Sequence, residues 1–203
     1  MSDSNYIRYG KRIFDLVFGL LGFILLLPLI LFISLWIMTT QGPPVFFLQE
    51  RVGKNFQKFN LIKFRTMIKN ADGNGPQVTA DDDLRITKAG RTLRRFKLDE
   101  LPQLINVLKG EMSLVGPRPE VEQYVIRFKE AYEQILRIRP GITDFAAIEF
   151  RDEQRILQRY EDKTAAYLNE LLPRKIELYQ KYIGHISLTT DLRIILKTLR
   201  SIL

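Results

Sequence analysis

The chain has 203 residues, enough for one modest domain or one domain plus a membrane anchor, and its 46% hydrophobic and 27% charged residues are ordinary for a folded protein. Lys and Arg number 31 against 23 Asp and Glu, a formal charge of +8 that points to anionic partners: nucleic acid, lipid headgroups or phosphorylated substrates. The absence of cysteine excludes disulfides and thiolate chemistry and fits a domain facing a reducing compartment.

From Leu16 to Met38 no side chain is charged. A spanning helix needs ~20 apolar residues, so the run is long enough to cross a bilayer and too long for a signal-peptide core. Pro28 removes a backbone donor and predicts a kink or break near Leu27. Arg8, Lys11 and Arg12 precede the run, and Arg51, Lys54, Lys58, Lys63 and Arg65 follow it. Basic flanks favour the cytoplasmic side, and a helix-break-helix over residues 1–42 that enters and leaves by one face satisfies both. A kinked span with its N-terminus outside is the alternative. Asp15 lies one turn from Lys11 and Arg12, so a local ion pair is expected.

Residues 43–203 read as one domain. Val45 to Met67 predicts a β-hairpin turning at Gly53-Lys54-Asn55. Ala71 to Asp83, with two glycines, a proline and an acidic triplet, predicts a loop. Helical pattern returns near Ile86 and again from Val121 to Leu136. It also covers Arg151 to Tyr182 with a break at Pro173, and an amphipathic tail from Leu188 to Leu203. The fold class is mainly α with a small hairpin (α+β), and no doubly wound sheet is supported.

Cations Arg85, Lys88, Arg91, Arg94, Arg95 and Lys97 crowd in front of Asp99-Glu100. An Asp before a helix is commonly an N-cap, which explains Asp99 without any function. The chemical reading is phosphoryl transfer, in which a carboxylate attacks phosphorus, a divalent cation neutralises phosphate oxygens and basic side chains hold them. His185, the single histidine, reads as a surface residue and not a metal ligand.

The stretch KLDELPQLINVLKGEMSLVGPRP, Lys97 to Pro119, resembles the signature of the bacterial sugar transferase family, the monotopic phosphoglycosyl transferases. KRIFDLVFGLLGFILLLPLI, FNLIKFRTM, DDLRITKAGRTLRR, RPGIT and DLRIILKT also resemble family segments, in order, over nearly the whole chain. The resemblance implies that Asp99 attacks the sugar-linked phosphorus of a UDP-sugar, releasing UMP, and that a polyprenyl phosphate then takes the phosphosugar. It implies that Glu100 ligates Mg²⁺ and that Arg94 binds phosphate. Lys63, Arg65 and Arg118 fall at active-site positions, with Arg139 a further candidate. It also implies a re-entrant helix in the bacterial cytoplasmic membrane, with the catalytic domain on the cytoplasmic face of the lipid bilayer.

The chain departs from the family where many members carry Ser-Pro at the break and Gly-Trp-Ala-Gln after RPGIT; here stand Leu27-Pro28 and Asp144-Phe145-Ala146-Ala147. The sugar is therefore not named, and a homo-oligomer stays open. Two rivals are a membrane-anchored module binding anionic lipid and a glycosyltransferase releasing UDP. A nucleic-acid partner is not expected, because no reader motif appears.

Overall fold

The computed structural model describes residues 5–69, 71 and 83–202. The loop expected over Ala71 to Asp83 therefore lies outside the described residues except at its two ends. Helix α1 spans Lys11–Gln41, after a π-helical turn at Tyr6–Gly10. By length and composition, Tyr6–Gln41 can cross a membrane. Pro28 sits inside α1, which is helical on both sides of it, so no non-helical residue marks the place where a kink or break is expected. Proline removes only its own N–H and crowds one carbonyl. The remaining backbone groups keep helical partners because unpaired amides are costly in apolar surroundings.

Both ends of α1 are docked. Near the start Lys11, Phe14, Asp15 and Gly19 are buried, and near the end Ile30, Ile33 and Ile37 are, whereas no residue from Leu20 to Leu29 is. Arg12 donates to the carbonyls of Val107 (2.7 Å) and Leu108 (3.0 Å). Asp15 accepts from Ser113 Oγ (2.8 Å) and from the Leu114 N–H (3.0 Å). Lys11 reaches Asp191 Oδ2 at 2.6 Å. The local ion pair expected of Asp15 is thus replaced by long-range partners, because burial makes satisfying every polar atom worth more than an exposed pair one turn away.

The hairpin forms as predicted, with β1 (Phe46–Val52) antiparallel to β2 (Lys58–Phe64) and Phe46 opposite Phe64. Asn55 and Phe56 take positive φ (55° and 61°) in the turn between them. Helix α2 (Lys88–Arg95) is capped by Thr87, whose hydroxyl accepts from the Gly90 N–H at 2.9 Å. Helix α3 (Gln103–Lys109) follows the dyad. A second sheet, not expected, pairs β3 (Ser113–Val115) parallel with β4 (Gly141–Thr143). Here the backbones of Gly116 and Gly141 nearly touch: a Cβ on Gly141 would lie 2.0 Å from Gly116 N, so only glycine fits.

The helix expected over Val121 to Leu136 is two, α4 (Glu122–Arg127) and α5 (Lys129–Ile135), interrupted at Phe128 (φ −117°, ψ 36°). Tyr124, Tyr132 and Ile135 still face the main core, with Phe128 and Ala131 packed against it. After α6 (Phe145–Glu149) and α7 (Glu153–Leu157), α8 (Lys163–Ala166) runs through a π-helical turn into α9 (Leu172–Ile183). Pro173 makes no break there: it comes just after the π-helical turn, and the helix runs on past it. The chain ends in α10 (Leu188–Ile202).

Candidate active site

After α2 the chain reverses at Lys97, a non-glycine residue in the left-handed region (φ 54°, ψ 20°), and enters a 3₁₀ turn, Leu98–Glu100. Such strain costs ~1–3 kcal/mol and persists only where the surroundings over-determine it. Here they do, because Leu98 and Leu101 flank the dyad and pack into the cluster of Ile30, Ile33, Ile37, Phe64 and Leu93. The second half of α1 therefore helps fix the dyad, and Asp99 is left 8% exposed.

The two carboxylates differ sharply. Glu100 receives both arms of Arg118, from Nη1 at 3.1 Å and from Nη2 in a closer contact, with Lys63 Nζ 3.6 Å from Oε1. Burial alone would raise its pKa, but the charges of Arg118 and Lys63 hold it well below the usual carboxylate range. Asp99 Oδ1 is buried without a hydrogen-bond partner, so that atom caps no helix. Its pKa is raised by burial and by the neighbouring Glu100 charge, against the pull of Lys63, Arg94 and Lys97. Burial also lowers Lys63 to about 8.

Arg118 is itself held on several sides. Its own N–H donates to Asp144 Oδ2 (3.1 Å), the Pro117 carbonyl accepts from Gly141 N (2.9 Å), and the Pro119 carbonyl accepts from Arg51 (3.0 Å). Arg94 lines the same cleft and donates from Nε to Thr66 Oγ1 at 2.8 Å. Lys63, Arg94 and Arg118 thus converge with Asp99 and Glu100. Arg65 and Arg139 do not join them. Arg65 donates to the carbonyls of Gln41 (2.9 Å) and Gly42 (2.6 Å) at the end of α1, and Arg139 Nε donates to Gly110 O (2.7 Å). Both tie down helix C-termini. His185 is exposed, as expected.

Sequence reasoning missed a second polar group in the cleft. Glu120 is buried between Arg51 (3.3 Å) and the Tyr167 hydroxyl (2.6 Å), and Lys175 pairs with Glu153. These residues are scattered along the chain, and only Glu120, directly after the GPRP motif, carried a positional hint. Asp144 was also missed. It accepts from the N–H groups of Ala147 (2.6 Å) and Arg118, and burial raises its pKa to about 6. A carboxyl with a raised folded-state pKa holds its proton more tightly when folded, so its contribution to stability falls as pH rises from about 4 to 6. Subtracting the melting curve of Asp144→Asn from that of the parent across this window is expected to show that fall. A flat difference would place the ionised group in balance with its donors.

The dyad lies on the wall of a cleft of about 1050 Å³. Lys63, Arg94, Lys97 and Arg118 line it together with the dyad, while α1 and α10 contribute the apolar side chains Phe18, Leu26, Ile195 and Leu199. Among the described residues no three carboxylates or histidines converge as a metal cage. The donor set is two adjacent carboxylates, one with an unpartnered buried oxygen. The unpartnered Asp99 oxygen suits Mg²⁺, which takes one or two carboxylates and completes its shell with water and substrate phosphate, whereas both Glu100 oxygens already face Arg118 or Lys63.

The 37% identical UDP-N-acetylgalactosamine-undecaprenyl-phosphate N-acetylgalactosaminephosphotransferase of Aeromonas hydrophila aligns with 98% of this chain and 45% of its own length. The UDP-glucose:undecaprenyl-phosphate glucose-1-phosphate transferase of Xanthomonas campestris pv. campestris is 36% identical, over 96% of this chain and 39% of its own. The exopolysaccharide production protein ExoY of Sinorhizobium fredii is 34% identical, over 95% and 85%. The chain thus spans less than half of the first two relatives and most of the third. With residues 6–203 matching the bacterial sugar transferase family from the long apolar helix through the dyad to the last helix, the chain belongs to that family.

Proposed function

We propose that this protein transfers a sugar-1-phosphate from a UDP-sugar to a polyprenyl phosphate, with UMP as the other product. The observation that carries the reading is the dyad itself: Glu100 is locked by Arg118 and Lys63, and beside it Asp99, its Oδ1 buried without a partner, lies on the wall of a cleft that Lys63, Arg94 and Arg118 also line. Relatives bearing undecaprenyl-phosphate sugar-phosphate transferase names support it.

In the first step an Asp99 oxygen attacks the sugar-linked phosphorus. The bond from that phosphorus to the bridging oxygen breaks, and UMP leaves with the electron pair. Lys63, Arg94 and Arg118 stabilise charge on the transferring phosphoryl group, and Arg118 keeps Glu100 ionised. In the second step an oxygen of the polyprenyl phosphate attacks the same phosphorus, and the acyl-phosphate bond breaks to regenerate Asp99. Asp99 and Glu100 would hold Mg²⁺, which when bound neutralises phosphate oxygens.

Basic residues on both flanks of α1, and both its ends bound to one domain, support a re-entrant helix with the domain on the cytoplasmic face. The test places purified protein in nanodiscs with Mg²⁺, a panel of UDP-sugars and undecaprenyl phosphate, and identifies the released nucleotide. UMP release, together with an intact-mass gain of one phosphosugar when acceptor is omitted, is expected. UDP release would make it a glycosyltransferase, and lipid binding without turnover a binding module. In the same nanodiscs, cysteines placed at Asn5 and Gln49 should label from one side, and opposite-side labelling would sink the re-entrant helix.

A further inference from the structure

Between its docked ends, α1 passes over the cleft. Phe18, Gly22 and Leu26 line it at a spacing of four, which places them on one stripe over roughly 12 Å of helix. Ile195 and Leu199 line it from α10 at the same spacing. Gly22 is a notch in the first stripe: a Cβ there would meet no atom within 4 Å. Leu101 and Leu104 carry the apolar lining on to the dyad. Phe18 and Leu199 are 46% and 55% exposed, so the stripe opens outward at these apolar side chains.

Resting on the reading of the site given above, we propose that the isoprenoid chain of the acceptor lies in this arm. Its first units would run past the Gly22 notch between the α1 stripe and Ile195 and Leu199, with the phosphate at Asp99. A linear hydrocarbon bearing one terminal anion suits an apolar channel that ends at Lys63, Arg94 and Arg118. The donor, polar along its whole length, gains nothing from that wall. The channel begins on the helix that the bilayer would surround, so the chain enters it without crossing water.

The test fills the notch with Gly22→Phe and leaves the dyad untouched. Two acceptors are compared, undecaprenyl phosphate and a phosphate bearing a single isoprene unit, with the donor-only UMP burst as a third readout. Gly22→Phe is expected to lose roughly tenfold or more in kcat/KM for undecaprenyl phosphate. The short acceptor should lose much less, and the burst should persist. Equal loss on both acceptors and the burst would mean that the substitution disturbs the fold. No loss on the long acceptor would mean that the chain lies elsewhere, and either result overturns the proposal. Absence of any UMP burst in the parent would instead sink the underlying reading of the dyad, so the two failures are distinguishable.

Discussion

Asp99→Asn is expected to stop nucleotide release, by on the order of 10⁴-fold or more, while leaving the protein at least as stable as the parent. The amide cannot attack phosphorus, so no phosphosugar forms on the chain. Stability should move the other way. An acid whose pKa is raised by folding weakens the fold when it ionises above that pKa, and Asp99 is such an acid, its Oδ1 buried without a partner. Asparagine carries no charge to desolvate. Glu100→Gln should be equally inactive but less stable. Its pKa is depressed, so the ionised form adds stability that is present above the unfolded value and lost as pH falls through the folded one. Removing that charge strands Arg118 and Lys63, at a cost on the order of 3 kcal/mol. Melting temperature and UMP release measured on the same samples decide the matter. Turnover by Asp99→Asn, or equal melting losses in the two variants, would refute this account of the dyad.

The second large effect lies far from the chemistry. Asp191 on α10 is fully buried and accepts from the Tyr6 hydroxyl (2.7 Å), Lys11 Nζ (2.6 Å) and the Tyr182 hydroxyl (2.7 Å). It joins the start of α1, the end of α9 and the last helix at one carboxylate. Asp191→Leu takes the carboxylate from a buried ammonium and from the Tyr6 hydroxyl, while Tyr182 keeps the Val115 carbonyl (3.2 Å), an expected loss of ~3–5 kcal/mol. Lys11→Met on top of it should recover part of the loss, because an apolar pair leaves fewer stranded charges. Thermal unfolding in detergent tests both. An unchanged midpoint in Asp191→Leu, or no recovery in the double variant, would count against the clasp.

Much of this arrangement could be read from the chain, for definite reasons. The hairpin was legible because alternating β-formers and a turn signal act locally, and the amphipathic tail because its period persists for several turns. Asp99, Glu100, Arg94 and Arg118 stand in or beside one contiguous motif, whereas Lys63, which the fold brings to Glu100, comes from a separate segment. Arg65 and Arg139 lie outside the lining of the cleft, and an arginine beside a motif reads the same whether it faces phosphate or a helix carbonyl. The β3–β4 pairing was invisible because three-residue strands carry no periodicity, and their contact depends on a glycine–glycine approach between distant segments. The interruption at Phe128 and the continuity through Pro28 and Pro173 are decided by packing and by position within a helix, which residue identity alone does not report.

Because α1 is fastened at Arg12 and Asp15 on one side and at Arg65 on the other, the boundary at residue 42 divides the chain in composition but not in architecture. Cutting there to obtain a soluble catalytic fragment would uncover the apolar sides of Phe64, Leu93, Leu98 and Leu101 and take away the support of the strained turn at Lys97. Helix α1 is to this domain what a lintel is to a doorway, and the opening does not keep its shape once the beam is lifted out.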